Sequence, residues 1–119
     1  MQNYKDLRVW ERAHLLVLDV YNLTEKLPST EIYSLTSQIR RAAVSIPSNI
    51  AEGCGRNSQK EFANFLNVAL GSANELEYQF LLAKDLQYID IKTAELIDEK
   101  INEIKSMLIS LINKVRNNI

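Results

Sequence analysis

Four stretches of this chain repeat apolar residues at alternating spacings of three and four, and that rhythm leaves room for one kind of structure. Residues three and four apart share a face of an α-helix, whereas a strand alternates at every second position. The first row is Val9, Ala13, Leu16, Val20, Leu23 and Leu27, and it ends at Pro28, which disfavours a helical residue before it. Leu35, Ile39, Ala42, Ile46 and Ile50 make the second row. Phe62, Leu66, Ala69, Ala73, Leu76, Phe80 and Ala83 make the third, and Ala94, Ile97, Ile101, Ile104, Leu108, Leu111 and Val115 the fourth. The spacing predicts helices over about 6–27, 32–53, 58–86 and 91–117. With short links and no strand-like alternation, the expected fold class is all-α: an up-down-up-down antiparallel four-helix bundle in a single domain, residues 1–119.

Local signals place the helix ends. Asp6 is the expected cap of the first helix, and the second starts between Thr30 and Thr36. Pro47 lies inside the second row and removes a backbone donor, so a kink is expected, with the Ser45 or Ser48 hydroxyl serving displaced groups. Gly53 and Gly55 are expected to end that helix. Ser58-Gln59-Lys60-Glu61 matches a capping box, in which Ser58 accepts from the Glu61 amide and the Glu61 carboxylate returns to the Ser58 amide.

A chain of 119 residues, 46% hydrophobic and 24% charged, can bury a core and is not disordered by composition. Its one cysteine, Cys54, forbids an internal disulfide and a thiolate metal site. The N-terminal residues lack the apolar core of a signal peptide and no apolar run spans a bilayer, so a soluble, cytoplasmic protein with no membrane partner is expected. Catalysis finds little support. Glu11-x-x-His14 is one half of a di-iron motif that needs two copies and further carboxylates. Cys54 has no neighbouring base, and Ser45, Ser48 and Ser72 would all have to share His14. The expectation is a non-enzyme with no metal and no cofactor.

A polar row, Arg41, Ser45, Asn49 and Glu52, runs beside the apolar row of the second helix and can face Asn64, Ser72 and Glu75 on the third. As a structural network it fixes helix register, because a buried polar group left unpaired costs roughly 1–3 kcal/mol. The functional alternative is a small pocket or anion site using Arg40 or Arg41. Residues 1–60 hold eight Lys/Arg against six Asp/Glu, and residues 61–119 six against nine, so an anion-binding surface is expected on the first two helices. The candidate nucleic-acid contacts are Arg8, Arg12, Arg40, Arg41, Arg56 and Lys60. Leu15, Leu18, Phe65, Leu70, Ile109 and Ile112 lie off the four rows, and this surplus of apolar surface suggests a homo-oligomer.

The run Gln38-Ile39-Arg40-Arg41-Ala42-Ala43, then Ser45-Ile46-Pro47-Ser48-Asn49-Ile50-Ala51-Glu52-Gly53, flanked by Leu7-x-Val9-Trp10 and Gly71-Ser72-Ala73-Asn74-Glu75-Leu76-Glu77, resembles the 23S rRNA intervening-sequence proteins. The resemblance spans nearly the whole chain and implies a short up-down bundle assembling as a homopentamer, with no catalytic residues to carry over. The chain is also similar to the accessory variability proteins of diversity-generating retroelements, pentameric bundles that bind nucleic acid and a reverse transcriptase through basic surfaces. Its net charge of −1 departs from those relatives. The expected function is a non-catalytic binding or scaffolding module, with weak RNA or DNA binding through a basic surface repeated around an oligomer. The alternative is a protein-binding adaptor with no nucleic-acid role.

Overall fold

The structure, a computed structural model, describes residues 2–119. Four helices, α1 (Arg8–Thr24), α2 (Leu35–Cys54), α3 (Gln59–Asp85) and α4 (Ile91–Asn117), account for most of the described residues, among which there is no strand. Each helix packs on its neighbours in sequence, and α1 closes the ring against α4. Side-chain pairs fix the directions. Arg12 meets Glu103 while Asp19 meets Lys100, so α1 and α4 run antiparallel. The resulting four-helix bundle measures 45 × 23 × 19 Å.

The core is the set of apolar rows, with one systematic correction. In α1 the buried positions are Val9, Ala13, Leu16, Val20 and Thr24, and Leu23 is only half-buried. In α4 the buried run passes from Leu108 to Ile112 and Val115, leaving Leu111 half-buried. Ile112, expected off the row, is a core residue. A strict alternation of three and four repeats every 3.5 residues, but a straight helix turns every 3.6, so the buried face slips by one residue near the helix end.

The expected boundaries of the first two helices are refined, and α1 ends at Thr24, short of the expected 27. Asp6 does not cap α1, which starts after Leu7 with no side-chain cap; the residues before it form a short 3₁₀ turn, Tyr4–Asp6, capped by Asn3. A second 3₁₀ turn, Ser29–Glu31, precedes α2, which starts at Leu35, inside the expected range of Thr30 to Thr36 and three residues after 32. Gly55 caps the end of α2 as expected, whereas Gly53 lies inside the helix, and neither has positive φ. Gly53 serves close packing instead: a Cβ there would stand 2.9 Å from Cβ of Phe65 and 3.0 Å from Cδ1 of Phe62. Pro47 is buried within an unbroken α2.

The left-handed residue sits elsewhere. Gln87 has φ 64° after α3, where the Tyr88 amide donates to the Ala83 carbonyl and the Gln87 amide to the Lys84 carbonyl, each at 2.9 Å. This paired return of amides closes the helix end in the manner for which glycine is normally used.

Candidate nucleic-acid interface

The antiparallel order brings the start of α1, the end of α2, the start of α3 and the end of α4 to one end of the bundle. The Gln2 amide donates to the Cys54 carbonyl at 3.4 Å, tying the N-terminal segment to the end of α2. Arg8 shares a groove with Lys114 and Ser110 of α4. Ser58 caps α3 by accepting from the Glu61 amide at 3.1 Å, while the Glu61 carboxylate accepts from the Ser58 hydroxyl at 3.3 Å instead of from its amide. Lys60 is exposed in the first turn of α3 and Lys114 and Arg116 lie in the last turn of α4.

This end therefore gathers Lys5, Arg8, Arg56, Lys60, Lys114 and Arg116 against Asp6, Glu11, Glu52 and Glu61. Two of the acids are engaged locally, Glu52 with Arg56 at 3.0 Å and Glu61 with Ser58. The opposite end carries Asp19, Glu25, Glu31, Asp85, Asp90, Glu95, Asp98 and Glu99 against Lys26, Arg40, Arg41, Lys84, Lys92 and Lys100, the last paired with Asp19. A chain of net charge −1 is thus polarised along its length.

The six residues singled out by sequence divide accordingly. Arg8, Arg56 and Lys60 fall at the basic end, with Arg56 also lying over the Phe65 ring at 4.7 Å. Arg12 is half-buried and pairs with Glu103. Arg40 and Arg41 belong to the first half of α2, about 20 Å away at 1.5 Å per residue. Arg40 binds α1: its Nε donates to Thr24 Oγ1 at 2.8 Å, a terminal nitrogen donates to the Tyr21 carbonyl at 3.3 Å, and the guanidinium covers the Tyr21 ring at 4.6 Å. Arg41 is exposed and has no ion-pair partner among the described residues. Sequence reasoning missed Lys5, Lys114 and Arg116. The signal that finds them is the antiparallel order itself, which sets the last turn of α4 beside the first turn of α1.

The polar row also divides. Ser45 and Ser72 hydroxyls bond at 2.8 Å across α2 and α3, and the Asn49 amide donates to Ser45 Oγ at 2.9 Å and to the Ser45 carbonyl at 2.7 Å. Arg41, Glu52 and Glu75 are exposed and stand outside this network. The Ser45 hydroxyl is thus committed to Ser72 and Asn49, and Ser48 is exposed with no side-chain hydrogen bond among the described residues, so neither is seen serving groups displaced by Pro47.

His14 is exposed and stacks on Trp10, ring centroids 5.2 Å apart and planes within 2°. Cys54 is buried, and burial pushes its thiol up from the ordinary range, away from thiolate character. Among the described residues no cluster of three His, Cys, Asp or Glu side chains could hold a metal ion, and no helix is long and apolar enough to cross a membrane.

Comparison with known proteins agrees with the bundle. A crystal structure of a protein of unknown function from the S23 ribosomal protein family of Bacteroides thetaiotaomicron VPI-5482 superposes with a TM-score of 0.82 at 33% sequence identity, covering 87% of this chain and 97% of that one. No curated protein matches the chain. The family model for the 23S rRNA-intervening sequence protein matches residues 5–110, which is most of the chain. The chain belongs to the 23S rRNA-intervening sequence protein family.

Proposed function

We propose that this protein is a non-catalytic cytoplasmic module that binds nucleic acid weakly through the basic end of the bundle, and that it assembles into a homo-oligomer, a pentamer by family resemblance, which repeats that end around a ring. What carries the reading is the gathering of six cationic side chains at one end of a chain whose other end is acid-rich. Phosphate contacts need cations in reach and release counterions when made, so such a surface binds without sequence preference and with strong salt dependence. Linked copies raise a weak site into a useful one by avidity. Self-association is supported by Leu15, Leu18 and Ile109, which stay 49%, 54% and 47% exposed in the single chain.

The test is fluorescence anisotropy of a labelled single-stranded RNA. With about four phosphates contacted per bound unit, affinity for a single strand falls roughly fiftyfold between 50 and 200 mM salt. Arg8→Glu/Lys114→Glu removes binding, whereas Lys26→Glu/Lys92→Glu, an equal change of net charge at the acid-rich end, leaves it within about twofold. Equal loss in both double variants would make the effect one of net charge and defeat the assignment to this end.

A further inference from the structure

At the acid-rich end the connection between α1 and α2 leaves an open cleft of about 750 Å³, lined by Tyr21, Glu25, Tyr33, Thr36, Arg40 and Arg41 among others. Its size is that of a small-molecule site. Four observations bear on what it takes.

The first is Thr36. The residue is only 5% exposed and is among those lining the cleft, and its hydroxyl oxygen, itself shielded from solvent, has no hydrogen-bond partner among the described residues. A helical threonine ordinarily returns its hydroxyl to a carbonyl three or four residues back, as Thr24 does to Val20 at 2.8 Å. Thr36 forgoes that bond. Rotation about its first side-chain torsion exchanges hydroxyl and methyl, so the hydroxyl can turn to a group placed in the cleft. A buried hydroxyl without a partner is destabilising, and a ligand oxygen would recover the missing bond.

The second is the start of α2. Ser34 provides no side-chain cap, the Leu35 amide goes to the Glu31 carboxylate at 3.4 Å, and the amides of Thr36 and Ser37 donate to no group among the described residues. Free first-turn amides favour an anion. The third is the pair of arginines one turn further on. Arg40 spends two donors on α1 and keeps others, since a guanidinium carries five. Arg41 spends none on an acidic side chain among the described residues.

The fourth is the apolar and acidic part of the lining. Tyr33 is 97% exposed and Ile32 and Tyr21 about half so, flat or branched surface that a bare inorganic anion would leave uncovered. Glu25 also lines the cleft, and a carboxylate repels a simple anion but accepts readily from hydroxyl donors. Anion partners, hydroxyl acceptor and aromatic surface together describe a ligand with a phosphate, a sugar and a flat ring.

We infer that the cleft between α1 and the start of α2 binds a nucleotide, with Arg41, Thr36 and Ser37 serving the phosphate, Glu25 the sugar hydroxyls, and Tyr21 or Tyr33 the base. The inference stands apart from RNA binding at the basic end, because the length of α2 beyond Arg41 separates the two regions by about 20 Å.

Calorimetric titration of the purified protein with adenosine monophosphate, with adenosine, and with inorganic phosphate tests it. Adenosine monophosphate binds saturably at submillimolar concentration, and each fragment binds at least tenfold more weakly. Arg41→Gln and Thr36→Val each weaken binding at least tenfold, and Thr36→Val raises the melting temperature at the same time, because an apolar isostere relieves the unpartnered hydroxyl. Arg8→Glu/Lys114→Glu leaves this binding unchanged. A pentanucleotide RNA run beside the mononucleotide identifies the source: binding of the strand alone, with the same sensitivity to Arg41→Gln and Thr36→Val, places an unpaired nucleotide of RNA in the cleft. Absence of binding by either probe up to 10 mM, or binding indifferent to both substitutions, overturns the inference.

Discussion

The two ends of the bundle are made by the same four helices and solve opposite problems. At the basic end α2 and α3 meet through Gly53, Phe62 and Phe65, the link between them is short, and Ser58 caps the next helix at once. The cleft at this junction, beside Gly53, Cys54 and Ser58, holds only about 230 Å³, and the charges around it are displayed outward, where a polyanion can reach them. At the acid-rich end a longer connection, residues 25–34, crosses from α1 to α2 and leaves concave space behind it. That connection is held by Glu31, whose carboxylate accepts from Ser34 and, at 2.8 Å, from the Tyr88 hydroxyl of the α3–α4 link. The difference teaches that a closely packed junction presents a surface, while a strapped loop presents a site.

The largest effect expected from breaking this contrast falls at Gly53. Gly53→Ala places a methyl group into Phe62 and Phe65 and destabilises the fold by about 2 kcal/mol. Gly71, mid-way along α3, has nothing within 4 Å of the position a Cβ would take, so Gly71→Ala stabilises by roughly 0.8 kcal/mol through helix propensity alone. Urea denaturation reads both, and the same sign for the two would refute close packing as the reason for Gly53.

A gain of about 1 kcal/mol is expected for Gln87→Gly, since glycine enters the left-handed region without the steric cost that glutamine bears at φ 64°. Thermal melting checks it, and a loss of stability would mean that the Gln87 side chain holds the α3–α4 link in place.

The smallest effect is one of pH. Hydrogen bonds from Ser34 and then from Tyr88 hold the Glu31 carboxyl below its ordinary range, and the bond to Glu31, with burial second, holds the Tyr88 hydroxyl above its own. A depressed acid contributes stability that is complete above its unfolded pKa, near 4.5, and is lost as pH falls through the lower folded value. A raised phenol contributes stability that is complete below its unfolded pKa, near 10, and is lost as pH rises through the higher folded value. Stability of the native protein relative to Tyr88→Phe is therefore level between those limits and narrows outside them, as chemical denaturation at pH 3, 7 and 11 would show. A constant difference across that range would place the stabilising role of Tyr88 in its ring alone.

Helix existence, order and most of the core were legible because burial of one face imposes its period on the residues. Ala42, Ile46, Leu66, Ala73 and Ile101 are buried where spacing put them. The slip from Leu111 to Ile112 was not legible, because five helical turns accumulate the difference between 3.5 and 3.6 residues. Nor was the use of Gly53: a glycine at a helix end reads as a terminator, and only three-dimensional approach reveals it as a spacer. The charge division was hidden by counting along the chain, since the end that holds Arg56 and Lys60 also draws cations from both termini of the sequence, Lys5 and Arg8 at one and Lys114 and Arg116 at the other. Arg40 looked like a surface cation in sequence because its partners, Thr24 and the Tyr21 carbonyl, sit on another helix.

Lysine footprinting tests the central claim most directly, because it reads both ends of one molecule in a single experiment. The protein is acetylated briefly with and without single-stranded RNA at low salt, and each lysine is quantified by mass spectrometry. RNA bound at the basic end protects Lys60 and Lys114 several-fold and leaves Lys26 and Lys92 as reactive as in the free protein. Protection spread evenly over all four, or concentrated on Lys26 and Lys92, would contradict the account.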